Sequence, residues 1–196
     1  MDDSSLLNFY LEAHGPNAAP WNLSPRNGYA EYRMRQFLIN FVPIRDGMAV
    51  CNVGIGAGYW DTFLSYWLGS HGTLTSLDNN PHCCDLYRYR QTREGNPFPT
   101  KVVCGDIRQS PLAAKSFDLV TIIGIEPSDS ASFTSFLNGA FTLLKNSGLL
   151  LYWETSRRHS PSELEDHMKR KGCSIEKLET DTHYPNYPFF IVLVRP

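Results

Sequence analysis

Three glycines, Gly54, Gly56 and Gly58, alternate directly after the apolar run Val50-Cys51-Asn52-Val53. Glycine there lets the backbone turn sharply and lets a ligand approach where a Cβ would collide. A dinucleotide fingerprint, G-x-G-x-x-G, needs its third glycine one position later, and Tyr59 stands in that place. Asp78 closes the next β-prone run, where a carboxylate can accept hydrogen bonds from both hydroxyls of a ribose. Gly105-Asp106-Ile107 closes a third run. Candidates for proton transfer are spread along the chain. Glu126, Glu154 and His159 follow later apolar runs, and His183 and Tyr184 sit between the last two. Tyr10, His14, Trp21, Tyr29 and Tyr32 lie near the start; Tyr29, Glu126 and His159 are the candidates carried forward as a base.

These residues need a scaffold, and the hydrophobic spacing supplies one. Residues 1 to about 28 hold Pro16, Pro20 and Pro25 and read as a loop-rich arm after a short helix near Ser5–Ala13. Met34, Phe37, Leu38 and Phe41 mark one helical face within a helix from Tyr29 to Phe41. Met48–Val53 is predicted as the first strand. Trp60, Phe63, Leu64, Trp67 and Leu68 give the next helix, with Trp60 in the core. Thr73–Leu77 and Lys101–Cys104 are predicted strands, separated by a helix with Asn80 as cap and Pro81 at its first position. Phe117–Ile123 is nearly all apolar, as in a strand buried on both faces. A helical stripe from Phe133 to Leu144 ends near Gly148, before a fifth strand at Leu149–Trp153. Ser160-Pro161-Ser162-Glu163 opens a helix with a capping box, and Gly172 ends it. Ser174–Leu178 and Phe189–Val194 close the chain with no helix between them, so that pair must be antiparallel.

Five alternations of strand and helix followed by an antiparallel pair specify an α/β fold. It is a doubly wound, mostly parallel seven-stranded sheet with an antiparallel last strand. The G-x-G-x-G run, the two strand-end aspartates and this ending resemble the class I (Rossmann-like) methyltransferases that use S-adenosylmethionine (SAM). The resemblance covers about residues 34–196, leaving 1–33 as an amino-terminal arm that would close as a lid. It implies SAM as cofactor, with contacts from Gly54, Ile55, Gly56, Gly58, Tyr59 and Gly124 around the methionine moiety. Asp78 would bind the ribose with Asn79 flanking the adenine, and Asp106 with the Ile107 backbone would meet the adenine amine and ring. The family usually carries a carboxylate where Asn52 stands, linked to the cofactor ammonium. An amide accepts the same bond without charge, which implies weaker SAM binding. The N-P-P-Y type tetrad of methyltransferases acting on exocyclic amines is replaced by Gly124-Ile125-Glu126-Pro127.

Composition narrows the partners. The chain has 196 residues, and 18 basic against 20 acidic ones give a net charge of −2, which offers no bulk attraction to nucleic acid. The Arg88, Arg90, Arg93 cluster reads as a solvated helix face. Five cysteines without a C-x-x-C pair read as reduced thiols in a cytoplasmic protein. The histidines form no metal-binding motif, so no metal is expected. No apolar window reaches membrane-span length, and no secretory signal pattern opens the chain. The expectation is methyl transfer from SAM to a small-molecule acceptor by a monomer or homodimer. A protein or RNA acceptor, or SAM binding without turnover, stays open as an alternative.

Overall fold

The apolar runs pair into one seven-stranded sheet in the order β3-β2-β1-β4-β5-β7-β6. Its strands are β1 (Met48–Val53), β2 (Gly72–Asp78), β3 (Lys101–Cys104), β4 (Phe117–Ile123), β5 (Leu144–Thr155), β6 (Ser174–Asp181) and β7 (Phe189–Arg195). The computed structural model describes residues 1–13, 25–125, 130–155 and 160–196. Neighbours from β3 to β5 are parallel, whereas β7 runs antiparallel to both β5 and β6. Register aligns Val53 with Leu77, Asp78 with Cys104 and Thr155 with Phe189. The carboxyl ends of β1 to β6 therefore share one edge, where open α/β sheets bind ligands.

Strand alternation splits the core in two. Val50, Leu119 and Leu151 face one side, against Phe37 and Leu38 of α2 (Pro25–Phe41) and Trp60 and Leu64 of α3 (Tyr59–Leu68). Cys51, Val120 and Tyr152 face the other, against Leu137 of α5 (Ser130–Leu143) and Leu164 and Met168 of α6 (Pro161–Lys171). The remaining helices are α1 (Asp3–Ala13) and α4 (Pro81–Arg93). Their ends carry the expected chemistry. Asn80 accepts the His82 N–H at 2.9 Å, and Ser160 and Glu163 make both halves of a capping box.

Several boundaries differ from the sequence reading. α2 starts at Pro25, one turn before the expected Tyr29. α5 stops at Leu143 instead of near Gly148, because Leu144 pairs with Phe117 and joins β5 across a register shift. β6 extends to Asp181, since β7 offers it partners to that point.

Candidate functional site

The glycine loop joins β1 to α3 at the sheet's carboxyl edge. All three glycines take left-handed backbone angles, with φ of 87°, 53° and 78° at Gly54, Gly56 and Gly58. A Cβ on Gly54 would sit 2.3 Å from the Ile125 side chain, and one on Gly58 would sit 2.4 Å from the Tyr87 ring. A Cβ on Gly56 would meet nothing within 4 Å. Gly58 is thus required by packing against the buried Tyr87 ring, Gly54 lies against the tip of the Ile125 side chain, and Gly56 opens onto free space that a ligand could fill.

Asp78 organises this loop. Its Oδ2 accepts the Ile55 N–H at 2.7 Å and the Gly56 N–H at 3.2 Å, and its Oδ1 accepts the Asn80 N–H at 2.8 Å. A carboxylate offers about four lone-pair sites, so one remains for an incoming hydroxyl while the loop stays fastened. Asn79 is exposed beside it. At the end of β3, Asp106 accepts the Arg108 N–H at 2.9 Å and grips the Arg108 guanidinium through both oxygens. Hydrogen bonds from Arg108 hold the Asp106 carboxyl below its usual range. The Ile107 side chain is buried in the core under this turn.

Asn52 is wholly buried, and both of its amide hydrogens are committed. Its amide donates to Gly54 O at 3.1 Å and to Asp61 Oδ1 at 2.9 Å, and its Oδ1 accepts the Thr121 hydroxyl at 2.8 Å. Asp61, on the first turn of α3, also accepts the Ser76 hydroxyl, and its Oδ2 has no partner among the described residues. Burial pushes this carboxyl up to about 7 against the hydrogen bonds of Ser76 and Asn52. The sequence reading missed Asp61. The usable signal was its position beside Trp60, with Ser65 one turn on, inside the arc that α3 turns toward the sheet.

Arg90 corrects the reading of a solvated basic face: it is 3% exposed. Its guanidinium donates to the Ala57 carbonyl and to Glu94, at 2.8 Å to Oε1, and lies 4.9 Å from the Tyr59 ring centroid. Tyr10 joins the same cluster through Glu94, and Asp3 pairs with Arg93 at 2.8 Å. These arginines dock α1 onto α4 next to the loop. The Tyr59 ring therefore already bears one cation, and its hydroxyl is buried without a hydrogen-bond partner among the described residues.

The β5–β7 half of the edge is aromatic. Tyr29 donates to Asp181 Oδ2 at 2.8 Å, and Arg33 reaches the same oxygen at 2.6 Å. The Tyr29, His183 and Tyr184 rings pack mutually at 5.0–5.3 Å between centroids. Arg26 stacks on Tyr187 at 4.2 Å, and Trp153 lies 6.4 Å from Tyr187 and edges up to Gly124. Trp153 Nε1 and Arg26 Nε are buried N–H donors without partners among the described residues. Glu154 is buried at the end of β5 and accepts the Tyr152 hydroxyl. Tyr32 is exposed. Glu126, His159, His14 and Trp21 lie outside the described residues. Among the described residues, no group of three His, Cys, Asp or Glu could hold a metal ion.

A doubly wound sheet with β7 inserted antiparallel, a glycine turn after β1 and carboxylates ending β2 and β3 defines the class I methyltransferase architecture. Comparison with known proteins agrees. Residues 50–148 match the family model described as a methyltransferase domain. The chain is 31% identical over 91 residues to a sterol 24-C-methyltransferase of Gibberella zeae, covering 46% of this chain and 23% of that one. It thus spans about a quarter of that relative's length. A SAM-dependent methyltransferase from Aquifex aeolicus superposes with a TM-score of 0.69 at 16% identity, covering 100% of both chains. The cyclase SpnF superposes at 0.75 with 14% identity, covering 98% of this chain and 91% of its own. The chain belongs to the class I SAM-dependent methyltransferase family.

Proposed function

We propose that this chain binds SAM along the carboxyl ends of β1, β2 and β3 and transfers its methyl group to a small-molecule acceptor beside β5 and β7. The observation that carries the cofactor half is the pairing of Gly56, open on its Cβ side, with Asp78 one strand away. In this reading Asp78 and Asn79 hold the ribose side, and Asp106 with the Ile107 backbone holds the adenine. Asn52, Gly54, Ile55, Gly56, Gly58 and Gly124 flank the methionine moiety, with Tyr59 beside them. Bound SAM supplies an electrophilic methyl on a sulfonium, so the protein mainly orients the acceptor and excludes water. Trp153 and Arg26 supply two buried N–H donors among aromatic rings, a wall suited to a planar or apolar acceptor bearing an oxygen. The Gibberella relative is named for a sterol, which supports a small-molecule acceptor. Tyr29, Glu126 and His159 remain the candidate bases. Five free cysteines support work in a reducing compartment such as the cytoplasm.

Calorimetry tests the cofactor half. Wild type should bind SAM and S-adenosylhomocysteine, and Asp78→Ala should weaken both by at least about tenfold, since a charged hydrogen-bond acceptor is lost. No heat with either ligand would refute it. Labelled methyl transfer across a metabolite panel tests turnover, which fold alone does not assign, because a protein named a cyclase shares it.

A further inference from the structure

We propose that Asp61 is a positioning residue that makes the cofactor loop prefer the cationic, methylated cofactor over its neutral, demethylated product. The inference rests on the SAM reading above and adds a role for a carboxylate that touches no ligand-facing surface. Asp61 is wholly buried behind the loop. One Asn52 N–H bonds to Asp61 Oδ1 and the other to the Gly54 carbonyl, so the carboxylate sets the amide plane and the loop follows. Its second oxygen has no partner, although a buried polar atom left unpaired is costly.

Among the described residues, the groups that face Asp61 supply no countercharge. They are Asn52 and Cys51 from β1, Ser76 and Asp78 from β2, and Tyr87 from α4. The cation near the loop, Arg90, is turned to Ala57 and already paired with Glu94. The floor of the loop therefore holds two carboxylates, Asp61 and Asp78, in a water-poor setting where charge acts at longer reach. SAM carries a sulfonium, an ammonium and a carboxylate, for a net charge of +1 by elementary chemistry. Loss of the methyl group leaves a thioether and a neutral zwitterion. A buried anion behind the loop thus favours substrate over product and helps release the product. The ionised form of Asp61 has this effect and the protonated form does not. SAM affinity should therefore rise with pH through the neutral range, and SAM binding should release a proton.

The test is calorimetric titration of SAM and S-adenosylhomocysteine into wild type, Asp61→Asn and the double exchange Asn52→Asp/Asp61→Asn. Titrations run at pH 6 and 8.5, in two buffers of different ionisation enthalpy, with thermal unfolding as an independent readout. The wild-type SAM-to-product affinity ratio should grow about fivefold between the two pH values, which is what a one-unit fall in the Asp61 pKa on SAM binding gives over that window. Proton release should accompany SAM and not the product. Asp61→Asn should flatten the ratio, and the exchange, which returns one carboxylate to the pair, should restore its pH dependence. An unchanged ratio in a folded Asp61→Asn overturns the proposal. If Asp61→Asn fails to fold, equal or absent proton release for the two ligands in wild type overturns it. Wild type that binds neither ligand refutes the cofactor reading itself, and this inference with it.

Discussion

Side by side, Gly56 and Gly58 separate a demand of ligand binding from a demand of folding. Both have left-handed angles, but only Gly58 faces a wall, the buried Tyr87 ring. Gly58→Ala should destabilise the protein by about 3 kcal/mol through overpacking and backbone strain. Gly56→Ala should cost about 1 kcal/mol from its φ alone. It should still abolish SAM binding, because the added methyl occupies the open side of the loop. Chemical denaturation and calorimetry on the two variants check this, and a Gly56→Ala protein with wild-type affinity would contradict it. The glycines, Asp78 and Asp106 were legible in the sequence because their spacing relative to apolar runs is local information. Asp61 and Arg90 were not. Each is a charged residue that normally marks a solvated position, and only partners distant in sequence (Asn52 and Ser76, or Ala57 and Tyr10) bring it inside.

Among the elements, α1 is tied to α4 through Tyr89, Arg90 and Arg93, of which Arg90 is buried. The guanidinium joins the Ala57 carbonyl, the Tyr59 ring, Tyr10 and Glu94, so α1 and the cofactor loop share one anchor. Arg90→Ala should destabilise the fold by about 3 kcal/mol, the lower end for breaking a buried ion pair. It should also expose α1 to limited proteolysis. Arg93→Ala removes only the exposed pair with Asp3 and should cost under about 1 kcal/mol. Equal effects of the two substitutions would show that α1 is not anchored through Arg90. Helices were legible from apolar residues at helical spacing, and strands from short apolar or β-prone runs between them. The early start of β5 and the full length of β6 were not, because both depend on pairing with strands far along the chain, Phe117 and Phe189–Arg195.

For the molecule as a whole, the sequence carried the topology further than any single residue, since a strand pair without a crossover can close only antiparallel. Charge is the other whole-molecule property with a consequence. At a net −2, and with Arg88, Arg90 and Arg93 each paired to an acidic residue, no basic surface is built from that helix. RNA should therefore not be retained at about 50 mM salt, and any retention that falls steeply with salt would favour a nucleic-acid acceptor over a small molecule. The strand order carries one more consequence, for the time course of folding. β7 lies between β5 and β6 although the chain makes it after both. Until β7 arrives, β5 presents an open edge and β6 has no neighbour at all. The β5 edge stays open to aggregation until then, and β7 joins β6 to the other five strands in one late step.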